Sequence, residues 1–244
     1  PFCFATEYRG ANSGEGHGEM SLDEFRQCIA FSGVESIRLC GGEPTLHSRF
    51  IDFLSHALEC SSGRVFLMTN GLWPDAVRRY IAELSSHQQG RLDVLFNALP
   101  PAFLGEERWS RLEQSLAVLH HARIAVGMTI HSLEVNYGYL FDLAKRFGVR
   151  QLRYSVAAPN ISDPGTWCFE PEEDFRVLAK LIHRFVIEAR QQGFSVQSDC
   201  GYLPPCVFSK KQLADIQREN PVMSSAGQRA IDFHCYGPVD IIDI

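Results

Sequence analysis

Ser36-Ile37-Arg38-Leu39-Cys40-Gly41-Gly42-Glu43-Pro44-Thr45-Leu46 is the stretch on which the reading of the fold turns. A short apolar run stops at two glycines, a carboxylate and a proline, the pattern of a buried strand handing over to a loop. Further strands are expected at 65–69, 93–97, 124–130, 151–155 and, after a longer gap, 195–198. The first five begin about 28 residues apart, the length of one strand, loop, helix and loop.

The intervening segments carry helix punctuation. Ser21 and Glu24 have the spacing of a capping box, with Phe25, Cys28 and Ile29 expected on the buried face and Gly33 just past the end. Pro74 opens another helix, where its missing N–H costs nothing. Helices are expected over 134–147, ending at Gly148, and over 171–192, ending at Gly193. In the latter Phe175, Leu178, Ile182, Phe185, Val186 and Ala189 follow a 3.6-residue period. Strand alternating with helix in this way predicts a parallel sheet with right-handed crossovers, either open or closed into a barrel. Six strands followed by a tail of different character fit an α/β partial (β/α)6 barrel, residues 1–198, with a loop-rich extension over 199–244.

Composition narrows the function classes. The 244 residues are 45% hydrophobic and 21% charged, which excludes disordered, collagen-like and coiled-coil chains. A net charge of −6 gives no footprint for nonspecific nucleic-acid binding, and no apolar run is long enough to span a membrane. Eight cysteines are too sparse for a disulfide scaffold of this size. A reducing, cytoplasmic setting is therefore expected, with some thiols available to metal. The chain opens at Pro1 and stops inside a strand-like run, so it reads as a segment of something longer.

In parallel α/β folds chemistry gathers beyond the carboxyl ends of the strands. There the sequence places Gly41-Gly42-Glu43-Pro44, then Thr69-Asn70-Gly71, then Asn97, then Arg153-Tyr154-Ser155. Singly, Gly-Gly and Asn-Gly are ordinary turn chemistry. Together they line one end of the sheet with small, polar and backbone hydrogen-bonding groups.

Those motifs, in that order and with Pro1-Phe2-Cys3 about 40 residues upstream, resemble the radical S-adenosylmethionine superfamily. Members open with three cysteines spaced C-x3-C-x2-C and an aromatic residue before the third. Phe2-Cys3 fits the end of that motif, and the other two cysteines are expected just before Pro1. The resemblance implies that Cys3 ligates a [4Fe–4S] cluster with one open iron position. It also implies that Gly41, Gly42, Glu43, Pro44 and Asn70 bind S-adenosylmethionine, with the glycine carbonyls and the Glu43 carboxylate accepting from its amino group. Asn97 and Ser155 are implied contacts of the ribose or carboxylate, and Arg153 of the carboxylate. Strand-end capping or an ion pair is the alternative for these three. An electron donor such as flavodoxin or ferredoxin is implied, and a 5′-deoxyadenosyl radical would abstract hydrogen from substrate. A peptide or protein substrate is preferred, and no nucleic acid or membrane is expected as a partner.

Cys40 reads as a small buried hydrophobe, Cys28 and Cys60 as helix-face packing, and His120-His121 as solvated surface. Ser209 is expected to cap a tail helix running through Glu219. Cys200, Cys206 and Cys235 concentrate in the tail, and the Gly201-to-Cys206 step resembles the auxiliary-cluster extensions called SPASM or twitch. A second [4Fe–4S] cluster on these three cysteines is implied. The match departs from the pattern, since Cys200 directly precedes the glycine and a later C-x2-C is missing. Three small buried residues stapling the tail are the alternative. Two other function classes stand against the enzyme. One is a zinc module using Cys200, Cys206, His234 and Cys235, although structural zinc favours C-x2-C pairs. The other is an inactive barrel that serves as a binding scaffold.

Overall fold

In the computed structural model the described residues are 19–157, 169, 173–198, 203, 205–218 and 241–243. In chain order the elements are α1 (Leu22–Ser32), β1 (Ile37–Cys40), a 3-10 turn (Pro44–Leu46), α2 (Phe50–Cys60), β2 (Val65–Thr69), α3 (Asp75–Glu83), α4 (Ser86–Gly90), β3 (Leu92–Asn97) and α5 (Pro101–Ala117). There follow β4 (Arg123–Ile130), α6 (Gly138–Arg146), β5 (Gln151–Val156), α7 (Asp174–Gln191), β6 (Ser195–Ser198), a 3-10 turn (Pro205–Val207), α8 (Lys210–Arg218) and β7 (Ile241–Asp243). They fall into two compact units, residues 19–125 with 241–243, and residues 126–218.

In the first unit the strand order is β7-β1-β2-β3, and each neighbouring pair is parallel. Register is fixed by Leu39 opposite Leu67 and Thr69 opposite Phe96. Burial alternates as a sheet covered by helices on one side requires: Ile37, Leu39, Val65, Leu67 and Thr69 are buried, while Arg38, Cys40, Phe66 and Met68 on the other face are not. Phe50, Phe53, Leu54 and Ala57 of α2 and Phe25 of α1 complete this core. The Phe25 and Phe53 rings stack with centroids 4.6 Å apart.

The capping box forms: Ser21 Oγ accepts from the Glu24 N–H at 3.2 Å, and Glu24 Oε2 accepts from the Ser21 N–H at 2.7 Å. Gly33 ends α1 in the left-handed region at φ 59°. Two expectations for α1 and α2 are corrected. Cys28 and Cys60 are exposed rather than packed, and of the expected α1 face only Phe25 is fully buried. Phe25 stacks on Phe53, whereas Cys28, three residues on and about 60° round the helix, is left exposed at the edge of that face.

In the second unit β4, β5 and β6 run in sheet order, with Leu152 opposite Val196 and Arg153 opposite Gln197 in a parallel pair. The expected α7 face is buried at Leu178, Ile182, Phe185, Val186 and Ala189. Phe185 sits in an aromatic cluster with Tyr137, Phe141 and Tyr154, and each such burial is worth about 1.5–3 kcal/mol. α6 starts at Gly138, four residues later than the sequence suggests. The Asn136 side chain accepts from the Gly138 N–H at 3.0 Å, so the preceding residues are spent on a turn. Ser209 and Gln212 cap α8 reciprocally, as expected for the tail helix. Among the described residues no helix is long and apolar enough to cross a membrane.

Candidate active site

The 3-10 turn after β1 and the loop after β2 meet at one carboxylate. Glu43 Oε1 accepts from the Thr45 hydroxyl at 2.6 Å, the Thr69 hydroxyl at 2.7 Å and, longer, the Thr45 N–H at 3.3 Å. Glu43 Oε2 accepts from the Asn70 N–H at 2.7 Å. Among the described residues the two oxygens are thus unequal. Oε1 is saturated, while Oε2 has one donor and keeps acceptor capacity.

The loop after β2 is built to hold these donors still. Asn70 Oδ1 accepts from the Leu72 N–H at 2.8 Å, an Asx turn, and Thr69 Oγ1 accepts from the Gly71 N–H at 3.0 Å. Gly71 is left-handed at φ 79°, and a Cβ there would stand 2.2 Å from Leu112 Cδ1 and 2.7 Å from Phe96 Cδ1. Trp73, fully buried, donates its indole N–H to Thr69 Oγ1 at 2.9 Å and lies 5.4 Å from the Phe96 ring.

The expected residues therefore divide. Gly41, Gly42, Glu43, Pro44 and Asn70 come together in the first unit, with Pro44 buried and Gly42 exposed. Asn97 ends β3, the strand paired to β2. Arg153 and Ser155 are on β5 of the second unit, where the Ser155 and Thr129 hydroxyls lie 3.0 Å apart. Beside them Gly127 makes room: a Cβ there would be 3.0 Å from the Arg153 carbonyl oxygen. Cys206 is exposed on the short turn after β6. Cys3, Cys200, His234 and Cys235 lie outside the described residues, and among the described ones no three His, Cys, Asp or Glu side chains could hold a metal. Cys40 is half-buried rather than buried, and His120 and His121 are exposed, as expected.

Sequence reasoning did not single out Thr45 or Trp73. A hydroxyl aimed at a carboxylate and an indole N–H aimed at a hydroxyl leave no periodic signal.

A carboxylate locked through one oxygen and open at the other, next to an exposed glycine backbone, is chemically suited to a cationic amino group. The chain is thus a parallel α/β protein whose candidate site lies beyond the carboxyl ends of β1 and β2. Residues 1–134, more than half of it, match the Radical SAM superfamily, and the chain belongs to that superfamily. It is similar to the GTP 3′,8-cyclase of Caulobacter vibrioides, 32% identical over 114 residues, covering 45% of this chain and 32% of that protein. The GTP 3′,8-cyclase of Rhodopseudomonas palustris is 34% identical over 114 residues, covering 43% of this chain and 32% of that protein. The chain thus spans about a third of the length of these relatives. Among solved structures, Streptococcus suis SuiB is similar with a TM-score of 0.56 at 13% identity, covering 95% of this chain and 53% of that one. SuiB bound to S-adenosylmethionine gives 0.52 at 14% identity, covering 73% and 42%. Likeness at that identity concerns the fold, and it agrees with the expected partial (β/α)6 barrel.

Proposed function

We propose that the protein is a radical S-adenosylmethionine enzyme in which Glu43 receives the amino group of the methionine portion. The observation that carries this reading is the clamped Glu43 carboxylate, with Oε1 tied to Thr45 and Thr69 and Oε2 left able to accept. In the superfamily a [4Fe–4S] cluster with S-adenosylmethionine supplies reductive C–S cleavage and a 5′-deoxyadenosyl radical that abstracts hydrogen from substrate.

This chain's part is binding and orientation. The exposed Gly42 backbone offers a carbonyl with no side chain in the way, and Pro44 fixes the chain direction after Glu43. The Asx turn at Asn70 holds the N–H that pins Oε2. Asn97, Arg153 and Ser155 are proposed for the ribose and carboxylate contacts. Cys3 is proposed as a cluster ligand, and Cys200, Cys206 and Cys235 as ligands of an auxiliary cluster in a 199–244 extension. Reduction by flavodoxin or ferredoxin belongs to the same proposal.

For substrate, a peptide or protein is proposed, supported by the likeness of the cysteine-bearing tail to auxiliary-cluster extensions. Identity of 32–34% to two GTP 3′,8-cyclases favours GTP as the second reading. The test is anaerobic reconstitution with iron and sulfide, then reduction and measurement of methionine and 5′-deoxyadenosine. Formation of both, lost in Cys3→Ala, supports the enzyme. A protein that binds iron and S-adenosylmethionine yet releases neither product is an inactive scaffold. Adding GTP or peptides separates the substrate readings by which one carries new mass.

A further inference from the structure

We infer that Trp73 is a positioning residue that sets the direction of the Thr69 hydroxyl proton and, through it, the acceptor face of Glu43. The inference rests on the reading of Glu43 as acceptor for the amino group. It concerns a side chain two residues beyond Gly71, outside the residues that carry that reading's motif.

The argument is a count of protons and lone pairs. A threonine hydroxyl has one proton to give and two lone pairs with which to accept. Both lone pairs of Thr69 Oγ1 are taken by N–H groups that can only donate, the Gly71 backbone at 3.0 Å and the Trp73 indole at 2.9 Å. The single hydroxyl proton is then left for Glu43 Oε1 at 2.7 Å. With Thr45 Oγ1 also donating to Oε1, rotating the carboxylate out of this plane breaks two hydroxyl bonds. Oε2 is thereby kept as the oxygen with room for another donor.

Trp73 is itself held in place from two sides. Its ring is fully buried against Phe96, and its carbonyl accepts from Arg78 Nη1 at 2.7 Å and Arg111 Nη2 at 3.3 Å. Two cations on one carbonyl fix the backbone from which the indole reaches Thr69. Such investment is more than burial of an aromatic ring requires, since a phenylalanine would fill apolar space with no N–H to place.

The test compares two ligands on the reconstituted protein: S-adenosylmethionine and its analogue lacking the α-amino group. Wild type should prefer the amino-bearing ligand. Trp73→Phe should weaken S-adenosylmethionine about 3- to 10-fold, the value of one hydrogen bond, and leave the analogue unchanged. Thr69→Val should do the same, and Thr69→Ser, which keeps the hydroxyl, should restore wild-type discrimination. Unchanged binding of the analogue also shows that each variant is folded. If wild type discriminates and Trp73→Phe discriminates equally, Trp73 sets nothing and the inference is wrong. If both ligands weaken in parallel, Trp73 is a core residue only, and the inference is again wrong. If wild type shows no preference for the amino group, the Glu43 reading itself fails.

Discussion

Thr69 and Glu43, 26 residues apart in sequence and just at or beyond the ends of neighbouring parallel strands, are joined by a 2.7 Å hydrogen bond. That bond ties the loop after β2 to the turn after β1, so the two motifs at the end of this sheet act as one rigid piece. Because one oxygen of Glu43 is committed to this tie, the other is defined by exclusion. The arrangement places the burden of ligand recognition on geometry already made before any ligand arrives.

Glu43→Gln should reverse that geometry. An amide presents an oxygen and an NH2, and the NH2 cannot accept from the hydroxyls of Thr45 and Thr69 or from the Asn70 N–H. Binding of S-adenosylmethionine should weaken by 10-fold or more on the order of a lost charge-assisted hydrogen bond, with stability lowered by about 1–3 kcal/mol. Isothermal titration and thermal unfolding of the same preparation check both.

Gly71→Ala and Gly33→Ala form a pair that separates backbone strain from crowding. Both glycines have positive φ, 79° and 59°. At Gly33 nothing stands within 4 Å of an added Cβ, so only the left-handed cost of about 1–2 kcal/mol applies. At Gly71 the methyl would run into Leu112 and Phe96, adding about 1–3 kcal/mol and displacing the loop that pins Glu43. Denaturant unfolding should rank Gly71→Ala clearly below Gly33→Ala, and only the former should impair S-adenosylmethionine binding. Equal losses at both sites would show that the crowding is relieved without cost.

Gln89 is 2% exposed and satisfies four backbone groups. Its Nε2 donates to the carbonyls of Ile81 and Val118, and its Oε1 accepts from the N–H groups of His120 and His121. Gln89→Leu has nearly the same volume and none of these bonds. It should cost about 2–4 kcal/mol, since buried polar groups lose their partners together. At this chain length that corresponds to a fall in Tm of about 2–4 °C per kcal/mol, read by calorimetry.

Tyr154 gives a pH-dependent prediction. Burial raises its phenol above the ordinary tyrosine value, outweighing the Ser198 hydrogen bond and the Arg190 charge, which lower it. The folded state thus holds the proton to higher pH than the unfolded state does. The stability this represents is fully present below the unfolded value near 10 and is lost as pH rises through the folded one. Urea midpoints should fall above about pH 10, and Tyr154→Phe should flatten that decline. An equally steep alkaline limb in the variant would assign the effect to other groups.

The strands were legible almost to the residue because buried parallel strands are short apolar runs with abrupt ends: 65–69 and 195–198 match exactly the elements found, and β1, β3, β4 and β5 differ by one residue at one end. Gly41-Gly42-Glu43 and Thr69-Asn70-Gly71 were legible because turns demand particular residues. What periodicity could not give was depth. Cys28 and Cys60 sit on helices at plausible core positions, yet the sheet is already covered by Phe25, Phe53 and their neighbours. The start of α6 was displaced by an Asx turn, a local hydrogen bond that competes with the helix. Thr45 and Trp73 escaped notice because short-range side-chain bonds, to Glu43 two residues back and to Thr69 four residues back, leave no periodic signal.

The pairing of β7 with β1, Leu39 opposite Ile242 and Cys40 opposite Asp243, bears on how the chain is made. The first unit takes its edge strand from the far side of the second unit in sequence. During synthesis β1, β2 and β3 leave the ribosome long before residues 241–243, an interval on the order of ten seconds at ordinary elongation rates. Throughout that time β7 is not yet there to cover the outer edge of β1, and an uncovered strand edge can pair with other extended segments. Vectorial synthesis thus holds back this pairing in the half that carries Glu43 until the residues between β1 and β7 have been made.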